Sequence, residues 1–277
     1  IVVENFKVGG LAKYNLDYTA VKKINPQIIY CSITGFGQTG PDAQAAGYDA
    51  MIQARGGLMS ITGDVERAQK AGIAVADLMT SMYSVSAILA ALHHRDNSGE
   101  GQHIDLALLD TQVAWLANQN MNYLVGGEVP GRYGTAHPNI VPYQSFVTQD
   151  GELMLAVGND RQFKACVIVL GQPALANDRR FLTNHLRVEH RDELLPLLCA
   201  LFIKQDSKHW LTALAQVRVP CGPINNLAEV FADPQVQHRN MQFELNHPCA
   251  GTVPMVANPV KFSQTPIEYH KAPPTLG

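Results

Sequence analysis

Asn25-Pro26-Gln27-Ile28-Ile29-Tyr30-Cys31-Ser32-Ile33-Thr34-Gly35-Phe36-Gly37-Gln38-Thr39-Gly40-Pro41 is the stretch that decides how this chain folds. Ile28 to Ile33 is a β-branched run that reads as a strand, and it stops abruptly at the turn-rich segment Gly35 to Pro41. Upstream, Leu16 to Ile24 reads as an amphipathic helix, and Ile1 to Val3 as a short apolar strand before it. Downstream, Leu78 to Leu92 has apolar residues at helical recurrence and runs out near Asn97, Ser98 and Gly99. A strand (His103 to Leu108) and a further helix (Asp110 to Leu124) follow. Strands that alternate with helices predict an α/β fold with a largely parallel sheet covered by helices.

Between Gly126 and Pro138 the composition shifts to Gly, Pro, Arg and Thr, which reads as a linker. Beyond it, Tyr143 to Val157 holds two strand-like runs around Asp150-Gly151, a β-hairpin pattern. Helices are predicted over Asp160 to Leu170, ended by Gly171, and over Arg191 to Leu201, Ser207 to Gln216 and Leu227 to Ala232. The last segment is rich in Pro and short apolar runs. The expectation is two domains joined by the linker. The opening Ile1-Val2-Val3 and the closing Thr275-Leu276-Gly277 both read as cut from something longer, and neither reads as a targeting peptide.

The chain has 277 residues, of which 46% are hydrophobic and 16% charged, the balance of a globular protein with a real core. Its net charge of −3, with no basic run, disfavours a nucleic-acid surface, which needs a positive stripe. The longest apolar stretch, Ser81 to Leu92, is too short to span a membrane and reads as a buried helix. Five scattered cysteines without a CxxC pair argue against a disulfide framework or a zinc site and for a reducing compartment. His185 and His190, and the adjacent His93 and His94, do not share a helical face, so no metal is expected.

Asp77 is the foremost candidate for chemistry. It is the only charge between Lys70 and His93 and stands just before an apolar helix. An acid there caps the helix, and the two roles are compatible, since a cap position keeps a carboxylate ionised and able to attack an acyl carbonyl. Backbone N–H groups at the start of that helix are then expected to stabilise oxyanions. Gly35, Gly37 and Gly40 match G-x-G-x-x-G, a dinucleotide-binding pattern, but Pro41 follows the third glycine and no acidic strand end lies at the expected distance. Asn5-Phe6-Lys7 and Lys13 follow the first strand, where open α/β sheets bind ligands; solvation of a surface accounts equally for both lysines. No G-x-S-x-G, H-E-x-x-H or P-loop pattern is present.

Together these stretches resemble one family. Glu4-Asn5-Phe6-Lys7, Leu16-Asp17-Tyr18 and Asn25 to Ile33 are similar to the ENFRPG…LGLDY…NPRLIYCSISGFG region of the class III CoA-transferases, the CaiB/BaiF-like family of formyl-CoA and carnitine CoA-transferases. Gly35 to Pro41, Gly47-Tyr48-Asp49, Gly57-Leu58-Met59, Ile61-Thr62-Gly63, Ala76-Asp77-Leu78 and Gly99-Glu100-Gly101-Gln102 continue the match in order. So do Asn139 to Phe146, Val157-Gly158-Asn159, Pro259 to Ser263 and Pro273 to Gly277.

The resemblance implies a large Rossmann-like domain, a smaller inserted α+β domain and an interlocked-ring homodimer. In these terms residues 1–125 belong to the large domain, 126–138 are the linker, 139–240 form the small domain and 241–277 return to the large one. It makes Asp77 the catalytic carboxylate and assigns Asn5, Phe6, Tyr48 and Lys13 to the binding of CoA. Lysine where some members have arginine keeps the charge but loses bidentate phosphate binding. The implied activity is CoA transfer from an acyl-CoA to a small carboxylic acid, with CoA a substrate and no permanently bound cofactor, in the cytoplasm or, in a eukaryote, the mitochondrion. The related α-methylacyl-CoA racemases carry a Gly-His-Asp base; here the triplet is Gly47-Tyr48-Asp49, and proton transfer at an α-carbon needs a group on each side. A non-catalytic CoA-binding homologue is the other alternative. His137-Pro138-Asn139-Ile140 stands where some members have a glycine-rich loop.

Overall fold

The computed structural model describes residues 1–276, in two compact units, Ile1–Pro138 and Asn139–Gly277. The first unit is built on three parallel strands, β1 (Val2–Glu4), β2 (Tyr30–Thr34) and β3 (His103–Ala107), in the order β1-β2-β3. Cys31 pairs with Val3 on one side and Ile104 on the other. This central position explains the largely apolar run that feeds it: Ile29, Tyr30 and Cys31 are buried, and so is Ser32, whose hydroxyl bonds His103. Helices α1 (Tyr18–Ile24), α2 (Asp49–Arg55), α3 (Leu58–Ile61), α4 (Val75–Ser98), α5 (Leu108–Trp115) and α6 (Asn118–Leu124) complete the unit. The observed architecture is therefore a mixed α/β fold with a parallel sheet, as the alternation of elements predicts.

Three local differences from the sequence reading have physical causes. The helix expected over Asp110 to Leu124 is broken into α5 and α6, with Ala117 at φ 48°. The Asn120 side chain donates to the Val113 carbonyl at 2.6 Å, and the Leu116 N–H closes a tighter turn on the same oxygen, so the helical ladder has no acceptor to continue on. Helix α4 is longer than its apolar stretch and reaches 24 residues. By length and composition alone it could cross a membrane, contrary to the expectation from Ser81 to Leu92. It packs on the sheet and on α2 and α5 through Ala76, Thr80, Ser84 and Ala91, but within Ser81 to Leu92 only Ser84 and Ala91 are buried, so it is not the buried helix expected. Thirdly, the Pro-rich tail contains a hairpin, described below.

The second unit carries an antiparallel sheet, β4 (Tyr143–Val147), β5 (Glu152–Ala156) and β6 (Cys221–Pro223), in that order. Helices α7 (Asp160–Val169), α8 (Asn184–Glu189), α9 (Arg191–Phe202), α10 (Ser207–Gln216), α11 (Leu227–Ala232) and α12 (Pro234–His238) follow the chain around it. A separate two-stranded hairpin, β7 (Gln242–His247) and β8 (Gly251–Val256), comes last. The core gathers Phe146, Leu153, Leu155, Phe163, Leu194, Leu198, Phe202 and Leu214. Phe146 stacks on Phe202 at 4.6 Å, and the Trp210 indole N–H donates to the Phe202 carbonyl at 2.7 Å, so the polar end of a buried tryptophan is satisfied. Beside this core Arg187 is fully buried. Its Nε and Nη1 donate to the carbonyls of Val141 and Phe181 at 2.7 and 3.0 Å, and its plane lies over Phe163. Nη2 forms an ion pair with Asp160 Oδ1 at 2.9 Å.

Candidate active site

Parallel strands aim their carboxyl ends at one edge of a sheet, and ligands of open α/β folds bind there. In the first unit a cleft of about 740 Å³ opens at that edge. The segment leaving β1 supplies Asn5, Phe6 and Lys7, the end of β2 supplies Ile33, Thr34 and Gly35, and Leu108 follows β3. Ala43 to Tyr48 form a further wall, and the first two turns of α4 contribute Asp77, Thr80 and Ser81.

Four of the five residues singled out from the sequence therefore line one cleft: Asn5, Phe6, Tyr48 and Asp77. Phe6 and Tyr48 are strongly exposed, at 59% and 74%, so two large rings stand at the cleft with most of their surface in water. Lys13 is not among the lining residues; its ammonium lies over the Tyr14 ring at 4.8 Å. The cation that does line the cleft is Lys7.

Asp77 is not the cap of its helix. Helix α4 begins at Val75 after Ala74, which has no capping side chain, so Asp77 is the third helical residue. The cap comes from another element: Asp49 Oδ1, at the start of α2, accepts from the N–H of Ala76 at 2.8 Å and of Asp77 at 3.4 Å. The Leu78 N–H goes to the Ala74 carbonyl. These N–H groups are engaged within the protein, which removes the oxyanion donors expected at the helix start. Asp49 is itself fixed by buried Gln53, whose Nε2 donates to Asp49 Oδ2 at 2.6 Å and to the Ile73 carbonyl at 3.3 Å. Gln53 Oε1 accepts from the Ala71 N–H at 2.8 Å. Although Asp77 is open to solvent, partial burial of its carboxyl, and after it the charge of Asp49, hold it above the usual aspartate range.

The glycine pattern after β2 is held by contacts within the unit. The Gly37 N–H donates to Thr34 Oγ1 at 2.9 Å and the Gln38 N–H to the Asp105 carboxylate at 3.1 Å, so neither is aimed at a ligand. Gly35 and Gly47 meet backbone to backbone: a Cβ on Gly35 would stand 2.6 Å from Gly47 Cα, and one on Gly47 2.4 Å from Gly35 Cα. Sequence reasoning missed Asp49 and Gln53 as parts of the site. The available signal was their spacing of four within α2, which puts an acid and an amide on one face. Among the described residues no group of three or more His, Cys, Asp or Glu is arranged to hold a metal ion.

The chain belongs to CoA-transferase family III, whose family model matches residues 1–277. It is 53% identical over its whole length to the succinate–glutarate CoA-transferase of Agrobacterium fabrum and spans 70% of that protein. It is 43% identical over its whole length to the succinyl-CoA:glutarate CoA-transferase of Mus musculus and spans 64% of it. Among solved structures it resembles that of a CAIB/BAIF family protein from Brucella suis, with 50% identity and a TM-score of 0.81 over 96% of this chain and 70% of that one.

Proposed function

We propose that the protein transfers CoA between an acyl-CoA and a free carboxylic acid, with Asp77 as the covalent carrier. The observation that carries this reading is the position of Asp77, a carboxylate of raised basicity, in a large cleft at the carboxyl ends of parallel strands. Asp77 attacks the donor thioester carbonyl; its C–S bond breaks, leaving an aspartyl–acyl anhydride and CoA thiolate. The thiolate attacks the aspartyl carbonyl, the C–O bond to the acyl group breaks, and the donor acid departs from an aspartyl-CoA thioester. The acceptor carboxylate attacks this thioester, releasing thiolate and giving a second anhydride. Thiolate attack on its acceptor-derived carbonyl yields the new acyl-CoA and restores Asp77.

Asn5, Phe6 and Tyr48 are proposed to contact CoA, with Lys13 reaching its phosphorylated end outside the cleft. The names of the relatives at 53% and 43% identity support dicarboxylic acids as donor and acceptor, and Lys7 is the cation proposed to meet the carboxylate that does not react. Tyr48 in the place of a histidine base, lining the cleft with Asp77, leaves the racemase alternative without support. We further propose residues 139–240 as an inserted small domain, 241–277 as the return to the large one, and an interlocked homodimer. The dimer is supported by α4, where Leu78, Met82, Val85 and Leu89 form an apolar stripe, each more than half exposed. The unpaired state of all five cysteines supports a reducing compartment such as the cytoplasm or mitochondrion.

The test is covalent trapping. The chain is incubated with succinyl-, glutaryl- and oxalyl-CoA, quenched with hydroxylamine and mapped by peptide mass spectrometry. A hydroxamate on the Asp77 peptide is expected, absent from Asp77→Asn. Continued CoA exchange by Asp77→Asn would refute the assignment of the nucleophile, and CoA binding with no adduct from any donor would favour a non-catalytic homologue.

A further inference from the structure

Asp49 makes its decisive contacts on a helix other than its own. Its Oδ1 accepts from the Ala76 and Asp77 N–H groups at the start of α4, and its Oδ2 from Gln53 Nε2. Gln53 cannot turn its amide around, because Oε1 already takes the Ala71 N–H and Nε2 also meets the Ile73 carbonyl. The carboxylate of Asp49 is thereby locked in place, with donors facing both oxygens.

This arrangement answers a chemical problem posed by the fold. A carboxylate on the first turn of a 24-residue helix sits in the field of that helix end, equivalent to roughly half a positive charge. That field favours the ionised form and makes it a weaker nucleophile. We propose that Asp49 is the positioning residue of the site: it caps α4 from outside and cancels the field of the helix end, so that Asp77 keeps a reactive carboxylate. The inference rests on the reading of Asp77 as nucleophile.

The other titratable groups lining the cleft with Asp77 are Glu4, Lys7 and Tyr48. On the elements packed against α4, Arg55 of α2 pairs with Asp42, His103 of β3 bonds Ser32, and Asp105 of β3 accepts from Gln38. Tyr30 of β2 donates to the Leu16 carbonyl, and neither it nor Asp110 of α5 lines the cleft. Asp49 is the charge that acts on Asp77, in the same direction as burial.

The experiment compares Asp49→Asn and Asp49→Ala with the parent in the full chain. Asparagine keeps an oxygen for the Ala76 N–H and removes the charge, and its NH2 replaces the oxygen that takes the Gln53 Nε2 bond; alanine removes cap and charge. Two quantities are measured: the pH dependence of Asp77 acylation, and the titration of the Asp77 carboxyl by carbon-13 NMR. Asp49→Asn is expected to shift the Asp77 titration and the acid limb of the rate to lower pH. Its plateau rate should fall several-fold, while KM for acyl-CoA changes little. If Asp49→Asn matches the parent in both measurements and only Asp49→Ala is impaired, Asp49 is merely a cap and the proposal is overturned. Lost activity in Asp49→Asn with an unmoved Asp77 titration overturns it as well. The NMR titration needs no turnover, so a parent chain that never acylates Asp77 counts against the transfer reading while the coupling of the two carboxylates is still decided.

Discussion

Replacing Arg187 by methionine asks whether the hydrogen bonds of a buried guanidinium outweigh the cost of burying it. Methionine keeps much of the stem's volume and donates nothing. The carbonyls of Val141 and Phe181, both in buried residues, lose their donors, at about 1–3 kcal/mol each. Loss of the contact with the Phe163 ring, 4.5 Å away, adds about 1 kcal/mol. In the opposite direction, burial disfavours the charged guanidinium and lowers its pKa, so its removal returns part of a desolvation penalty of several kcal/mol. Asp160 is 55% exposed and hydrates once its partner is gone, so the broken ion pair contributes little. The net expectation is a destabilisation of about 3 kcal/mol, or roughly 10 °C in the midpoint for a unit of this size. Urea and thermal unfolding followed by Trp210 fluorescence, in a Trp115→Phe background, isolates the second unit, because Trp210 sits in its core. A midpoint equal to or above that of the parent would show that the burial cost of the charge exceeds its hydrogen bonds and refute the reasoning.

Further outcomes are expected from the same chain. On the proposed reading ionised Asp77 is the nucleophile, and its carboxyl is held above the ordinary range, so acylation should rise with pH through a limb above that of a free aspartate; a limb at or below that range would count against it. Gly99 and Gly101 share one turn but should respond differently to alanine. Gly99, at φ 76° with open space around it, should cost about 1 kcal/mol. In Gly101→Ala the new Cβ would stand 2.0 Å from the Ile28 carbonyl oxygen, so expression or a thermal midpoint should collapse by comparison. Alkylation mapped by mass spectrometry should label Cys199 and Cys249, which are exposed, ahead of buried Cys31 and Cys166. Burial pushes the Cys166 thiol up to about 12, so rapid labelling there in the folded chain would contradict the packing of the second unit.

The central strand of the first sheet was legible because a strand covered on both faces is largely apolar, and Ile28 to Ile33 is, Ser32 apart. Asp77 was legible as the single charge in a long apolar stretch. Its capping partner was not, because Asp49 lies 28 residues away and acts only once α2 and α4 meet. The break between α5 and α6 was hidden for a similar reason, since Asn120 interrupts the ladder through a side chain that reads as ordinary helix surface. The hairpin of β7 and β8 escaped notice because Pro254 sits within β8, opposite Glu244, and proline is tolerated there only on an edge. Lys13 and Lys7 could not be ranked from spacing, and the path of the chain after β1 brings only Lys7 to the cleft.

The contact of Gly35 with Gly47 limits how this cleft can be remodelled. Each residue occupies the space a side chain on the other would need, so neither position admits a first step toward a different contour unless both backbones move together. A mutational library meant to alter acid preference would lose most of its members there as misfolded chains. The walls formed by Asn5 to Val8 and by Ala43 to Ala46 contain no glycine, and so no pair of this kind. Diversity in substrate choice is thus expected to accumulate on those walls, above an unchanging floor.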